Sequence, residues 1–271
     1  MQNLSPNDYF GGLSIQGPDA TKTLQGQVTN DVEIQRSNSG IKALLCNIKG
    51  RVETIVWIFK HSSDHYSVIV PRDNLDLLKR RLAPYLAFSK SNATEIDLTD
   101  YRLLYPVETL LFEQESALRF DDIALISPSQ QAQLLTTHKS GSLTNFHEYR
   151  IRCGLVQLRP DLSGDYTPQA LSLDSMGYIS FKKGCYMGQE IIARLHYKGQ
   201  SKHQLALLTG ALNLASGATI QNSRHEIVGT IVDAEAAQAG VYLASLRVSA
   251  DKAHGYQVED APLTLDSVFG K

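Results

Sequence analysis

Lys182, Lys183 and Cys185 stand together in the stretch SFKKGCYMGQEIIARLHYKG, Ser180 to Gly199. From Gly188 to about His196 the spacing predicts a helix, with Ile191, Ile192 and Leu195 on one stripe. A cysteine just ahead of a helix meets free N–H groups and a partial positive charge, and nearby lysines add to it. Those conditions favour a thiolate at Cys185. They equally favour a bound carboxylate or phosphate. Between residues 182 and 203 the chain carries Lys182, Lys183, Arg194, Lys198 and Lys202 against one acid, Glu190, so the stretch is locally basic. A glycine-punctuated turn with a buried cysteine and solvated lysines accounts for the same residues, and for an isolated KGC it is the slightly commoner outcome. The residues alone leave these readings open.

The elements that must position this stretch follow from periodicity. Leu13 to Gln16 reads as a short strand, and DATKTLQGQV as a short helix opened by Pro18 and ended near Gly26. IKALLCN and RVETIVWIF flank a turn and predict a β-hairpin, and HYSVIV a third strand. Leu75, Leu78, Leu82 and Leu86 fall at helical spacing, with Pro84 expected to end or kink that helix near Ala83. YRLLYPV reads as a strand, and SPSQQAQLLTTH as a helix capped by Ser127 or Ser129. LTNFHEYRIRCG reads as a helix stopped by Gly154. From Gln204 onward, short apolar or alternating runs are split by Gly, Asn and Asp, which predicts an all-β tail, a small barrel or sandwich. The fold class is α+β.

Composition sets limits on function. The chain has 271 residues, 42% hydrophobic and 20% charged, enough for a real core and far from a disordered composition. A net charge of -2 gives no global sign of a nucleic-acid coat or a polybasic anchor. The three cysteines, Cys46, Cys153 and Cys185, form neither a disulfide framework nor a zinc pattern, and Cys46 and Cys153 read as small core residues. No signal segment or membrane-length apolar run is visible, so a reduced, cytoplasmic protein is expected. No P-loop, GxGxxG, GxSxG or HExxH occurs.

The stretch FKKGCYMGQEIIAR strongly resembles the K-G-C-Y-x-G-Q-E motif of the YgfZ family of folate-binding proteins, relatives of the glycine-cleavage T-protein, an aminomethyltransferase. GPDATKTLQGQVTNDV, LLCNIKGRV, YSVIVPRDNLDLLKRRLAPYLAFSK and RIRCGLVQL…YTPQALSLDSMGYISFKKG are similar to further family stretches in the same order, over roughly residues 9 to 203. The resemblance implies a T-protein-like arrangement: two interleaved α+β subdomains within 1–200, the inner one about 45–140, and a C-terminal β-barrel at 201–271. It implies a tetrahydrofolate-binding monomer that supports iron–sulfur cluster assembly or repair. Cluster enzymes such as the one that methylthiolates tRNA, or cluster carriers, would be partners, with no direct nucleic-acid or membrane contact. Carried over position by position, Cys185 is the candidate reactive thiol; Phe10, Phe146, Gln169, Lys183, Gly184, Tyr186, Gly188, Gln189, Glu190 and Arg194 are the candidate cofactor-binding residues.

Two departures bear on the ligand. Phe10 and Phe146 stand where tryptophan is common; phenylalanine still stacks on a flat ring but has no N–H to donate. Arg152 replaces the acid that, in T-proteins and some relatives, pairs with the pterin's amidine edge, leaving Asp174 or Glu148 as nearby substitutes. A folate-independent scaffold and a true aminomethyltransferase are the competing readings. Against the second, VPRDNLD stands where T-proteins carry their catalytic aspartate.

Overall fold

A computed structural model describes residues 6–34, 40–105, 118–128, 143–210, 213–235, 237–249 and 255–270. The chain divides into two compact units. The first comprises Met1–Leu45, Thr54–Leu143 and Ile179–Met187; the second comprises Cys46–Glu53, Thr144–Tyr178 and Gly188–Lys271.

The first unit is built on strands β1 (Phe10–Gln16), β2 (Ile41–Cys46), β3 (Val52–Ser62), β4 (His65–Pro71) and β5 (Asn92–Glu95), in the order β2-β3-β4-β1-β5. β1 runs antiparallel to β4, with Phe10 opposite Pro71 and Gln16 opposite His65. β3 is apolar without alternation because both its faces are covered. Val56 and Ile58 join a core with Val68, Val70, Leu24 of helix α1 (Ala20–Gln25) and Leu75, Leu78 and Leu82 of helix α2 (Leu75–Leu86). On the other face Trp57 stacks on Phe120, with ring centroids 4.5 Å apart. Phe120 belongs to a small sheet of β6 (Arg102–Leu104), β7 (Leu118–Phe120) and β8 (Ile123–Ile126), ordered β6-β8-β7.

The second unit holds helices α3 (Leu143–Arg152) and α4 (Gln189–Lys198) and a closed six-stranded barrel. Its strands are β9 (His203–Gly210), β10 (Thr219–Gln221), β11 (Ile227–Asp233), β12 (Val241–Arg247), β13 (Tyr256–Val258) and β14 (Ala261–Val268). They run in the order β10-β11-β12-β9-β14-β13, and a Gln221–Gln257 pairing between β10 and β13 closes the ring. Ala206, Leu208, Ile231, Tyr242 and Leu246 fill the interior. Leu205 and Leu207, on the opposite side of β9, are buried as well. The turn Pro168–Leu171 and the residues after it reach this outer wall: Ser245 Oγ donates to the Ala170 carbonyl at 3.0 Å, and the Leu205 N–H donates to Ser172 Oγ at 3.0 Å.

The α+β class, the hairpin and the barrel tail agree with the sequence reading. Several local expectations change. α2 continues through Pro84 to Leu86, because a missing N–H in the exposed last turn disturbs little. Cys153 is exposed rather than in the core, since α3 ends one residue before it. α4 begins at Gln189 with Cys185 ahead of it, as expected, but Ile191 of the expected apolar stripe is 41% exposed. The helix expected over SPSQQAQLLTTH falls almost wholly outside the described residues.

Candidate functional site

The KGCYMGQE stretch passes from the first unit to the second between Met187 and Gly188. In the first unit Lys183 is buried, and its ammonium donates three hydrogen bonds, to the carbonyls of Gln25 at 2.8 Å, Val28 at 2.7 Å and Asn30 at 2.7 Å. Those carbonyls converge because the QGQVTND loop is folded by its own side chains. Gln25 Nε2 donates to Asp31 Oδ1 at 3.0 Å, Gln25 Oε1 accepts from the Val32 N–H at 3.0 Å, and Asn30 Nδ2 donates to the Lys42 carbonyl at 2.8 Å. The Ser180 N–H donates to the Thr29 carbonyl at 3.0 Å and pins the approach to the motif. The lysine therefore joins two stretches that stand 153 to 158 residues apart in the chain, and its three donors are all engaged within the protein. This replaces the expectation that Lys183 contacts the cofactor.

Burial lowers the Lys183 pKa to about 8, against the raising influence of Asp31 and Glu33. With the folded value depressed below the ordinary lysine value of 10.5, the unfolded chain holds the proton more tightly between those two points. Stability from this group therefore rises as pH climbs from about 8 toward 10.5. We expect Lys183→Met to lose about 2–4 kcal/mol, since it strands acceptors that cost roughly 1–3 kcal/mol each when buried unpaired. Lys183→Arg should not restore it, because a planar fork does not meet three convergent carbonyls. Urea unfolding at pH 7 checks both, and a series from pH 7 to 10 checks the sign.

Tyr186 is also buried, its ring 5.5 Å from the Lys183 ammonium. Cys185 and Gly184 between them are exposed, and a methyl group at Gly184 would meet nothing within 4 Å. The sequence is thus locally bimodal: Lys183 and Tyr186 anchor the segment, and Gly184 and Cys185 are held up to solvent.

In the second unit Gly188 takes φ +79 as the residue ahead of α4. It sits against the β2–β3 turn, where a Cβ on Gly188 would lie 2.4 Å from the Asn47 carbonyl oxygen and 2.8 Å from the Gly50 Cα. Gly50 itself takes φ +64, and a Cβ there would lie 3.1 Å from the Gly188 carbonyl oxygen. The two glycines of KGR and YMGQ are thus a single backbone-to-backbone contact. On α4, Gln189 is partly buried and Glu190 and Arg194 are exposed.

Gln169 is 6% exposed; its Nε2 donates to the Ile192 carbonyl at 3.0 Å and its Oε1 has no protein partner. It lines a cavity of about 260 Å3 together with Asp174, Ser172 and His196. The Asp174 carboxylate stands 3.9 Å from His196 Nδ1. The Gln169 amide oxygen is closed off from solvent, whereas the Asp174 carboxylate is partly exposed at the cavity. Asp174 therefore offers an acid here, the substitute named for position 152. Glu148 does not, because it pairs with Arg152 at 2.8 Å along α3. The expected stacking positions fit less well. Phe10 is 1% exposed and makes edge contacts with Trp57 and Phe120, and Phe146 is 1% exposed. Their rings are core, and neither presents a face as a platform.

A residue that sequence reasoning passed over is Arg150, two positions before Arg152. It is 1% exposed and grips Asp233 of β11 with Nη1 at 2.5 Å and Nη2 at 3.1 Å. Glu235 also accepts from it, and His147 Nδ1 lies 2.7 Å from the same Glu235 carboxylate. The signal that could have found it is an arginine at a position whose helical neighbours Phe146 and Ile151 are buried.

No family model matches the chain. An uncharacterized protein of Haemophilus influenzae is 32% identical over 196 residues, 71% of this chain and 68% of its own length. The tRNA-modifying protein YgfZ of Escherichia coli O157:H7 is 31% identical over 237 residues, 75% of this chain and 71% of its own length. The chain belongs to the YgfZ family. A YgfZ protein of Photobacterium profundum is 29% identical over 226 residues, 75% of this chain and 68% of its own. Among solved structures, the glycine cleavage system aminomethyltransferase T of Bartonella henselae shares the fold, with a TM-score of 0.69 over 95% of this chain and 83% of that one at 13% identity. The T-protein-like architecture inferred from motifs is thereby the observed one.

Proposed function

We propose that this YgfZ-family protein binds tetrahydrofolate, or a one-carbon derivative, and supports iron–sulfur cluster assembly or repair in the cytoplasm. Its beneficiaries would be cluster enzymes such as the one that methylthiolates tRNA, reached directly or through cluster carriers. The observation that carries the reading is an intact KGCYMGQE stretch with Cys185 raised to solvent, in a chain whose relatives are named tRNA-modifying proteins. Asp174 would receive the pterin edge, with Gln169 holding the cavity wall behind it through its bond to the Ile192 carbonyl. Cys185, exposed at the motif, would be the nucleophile or ligand there. A folate-independent scaffold is the second reading, favoured by the closed surroundings of Phe10 and Phe146.

One experiment separates them. In a deletion strain carrying wild type, Cys185→Ala or Gln169→Leu, methylthiolated tRNA and oxidant sensitivity are measured, beside calorimetric titration of each purified protein with tetrahydrofolate. The expected outcome is loss of methylthiolation for both variants, with folate binding kept in Cys185→Ala and weakened about tenfold or more in Gln169→Leu, the scale of a lost buried hydrogen bond. Complementation by wild type without saturable folate binding would establish the scaffold instead.

A further inference from the structure

Away from the motif, the second unit has a cleft of about 190 Å3 lined by Arg51, Asp165, Tyr166, His203, Thr230 and Ser245. We propose that this cleft binds a phosphate group, carried by a polynucleotide backbone or by a small phosphorylated molecule. The proposal does not depend on folate binding.

Arg51 and His203 line the cleft, and Lys202 and Arg247 stand beside His203 without lining it. Arg51 comes from the β2–β3 turn and is exposed; one of its Nη1 hydrogens is donated to the Asp165 carbonyl, which fixes the guanidinium and leaves the rest of its fork free to aim elsewhere. His203 opens β9 and lies directly across the ladder from Arg247 at the end of β12. Lys202 precedes His203, and its carbonyl accepts from the Val248 N–H at 2.9 Å, which ties the two strand ends together. Lys202 and Arg247 are both exposed. Burial lowers the His203 pKa, and the charges of Arg247 and Lys202 lower it further, so protonation of the ring is disfavoured. Asp165 is the one acid in the lining.

An excess of cations around a partly enclosed, hydroxyl-bearing cleft is unfavourable until an anion enters. A phosphate matches it better than a single carboxylate. It carries more charge, and its tetrahedral oxygens accept from donors that approach in several directions, including a guanidinium fork. The net charge of -2 gave no reason to expect such a partner, because a whole-chain sum does not register Lys202 and Arg247 meeting at one barrel edge.

The full-length protein is titrated with inorganic phosphate while the His203 ring signals are followed by NMR, and separately with bulk tRNA by fluorescence anisotropy at several salt concentrations. Wild type is compared with the double variant Arg51→Gln/Arg247→Gln, both sites being exposed so that the unfolding midpoint should hold. The expected result is a saturable shift with phosphate and a rise in the His203 pKa, both lost in the double variant. If a polynucleotide is the source, tRNA binds about tenfold or more tightly to wild type, and the salt dependence falls by roughly one unit per lost phosphate contact in the variant. If a small molecule is the source, the phosphate response appears without tRNA binding. The proposal is overturned if neither probe binds, if the double variant binds both as well as wild type does, or if tetrahydrofolate polyglutamate shifts the same signals and displaces phosphate. Tetrahydrofolate binding measured in the double variant should be unchanged, which keeps this outcome distinct from failure of the folate reading.

Discussion

Replacing Arg150 with methionine should destabilise the protein by about 3–5 kcal/mol, the range for removing one partner of a buried ion pair. The cost arises from what is left behind. Asp233 is 1% exposed, and without Arg150 its carboxylate keeps only the Gln157 N–H, donated at 2.7 Å, and a longer contact from the Glu235 N–H at 3.4 Å. Arg150 Nη1 also donates to the Leu155 carbonyl at 3.2 Å, so the end of α3, the loop behind it and β11 lose their common tie. Arg152→Ala removes only an exposed i,i+4 pair with Glu148 and should change stability by about 0.5 kcal/mol or less. Urea unfolding of the two variants side by side makes the test, and equal midpoints would sink the argument. The same cluster predicts an acid response. Burial raises the Glu235 pKa, but the His147 hydrogen bond and the Arg150 charge outweigh it and bring it down to about 2 from 4.5. Because the folded value is the lower one, the stabilisation is complete above the unfolded value and is lost as pH falls from about 4.5 through about 2. In Arg150→Met that part of the acid transition should shrink.

The contrast between positions 150 and 152 shows how far the sequence could be read. Periodicity exposed α2, α3 and the barrel strands because each buries one stripe or alternates, and the ordered motifs marked a T-protein-like fold. The same sequence did not mark Arg150, since its partner Asp233 is 83 residues away and only the folded β11 brings it within reach. Lys183 was misjudged for a related reason. A lysine beside a cysteine and a glycine reads as a ligand-binding charge, yet the carbonyls that claim it come from Gln25, Val28 and Asn30, and main-chain acceptors leave no trace in side-chain identity. Pro84 failed in the opposite sense: a strong local rule gave way near the solvent-facing end of α2, where one missing hydrogen bond has little consequence. Non-local pairing is the part of a site that spacing does not encode. The exposure of Cys185 was left open by spacing for the same reason, since the anchor beside it, Lys183, is held from far along the chain.

The glycines of the motif admit a sharper test, because the structure assigns them different reasons. Gly188→Ala should destabilise by about 2–5 kcal/mol. The left-handed conformation at φ +79 costs an alanine roughly 1–2 kcal/mol, and forcing a methyl into a filled space adds about 1–3 kcal/mol. The atoms it meets cannot rotate away: the Asn47 oxygen and the Gly50 Cα are main chain, in a turn closed by the Gly50 N–H donating to the Asn47 carbonyl at 2.9 Å. α4 would have to retreat from that turn or the turn would have to open. Gly184→Ala lies four residues earlier in the same motif and meets nothing within 4 Å, so its effect on stability should stay within about 0.5 kcal/mol. Thermal and urea unfolding of both variants decides whether the assignment is right, and a Gly188→Ala protein as stable as Gly184→Ala would refute it. Function then discriminates further. If the proposed role in tRNA methylthiolation holds, a Gly184→Ala protein that folds normally but fails to support it would mean that the bare backbone beside Cys185 is needed for something to come close to the thiol. Steric need within the fold would already be ruled out as the reason for that glycine.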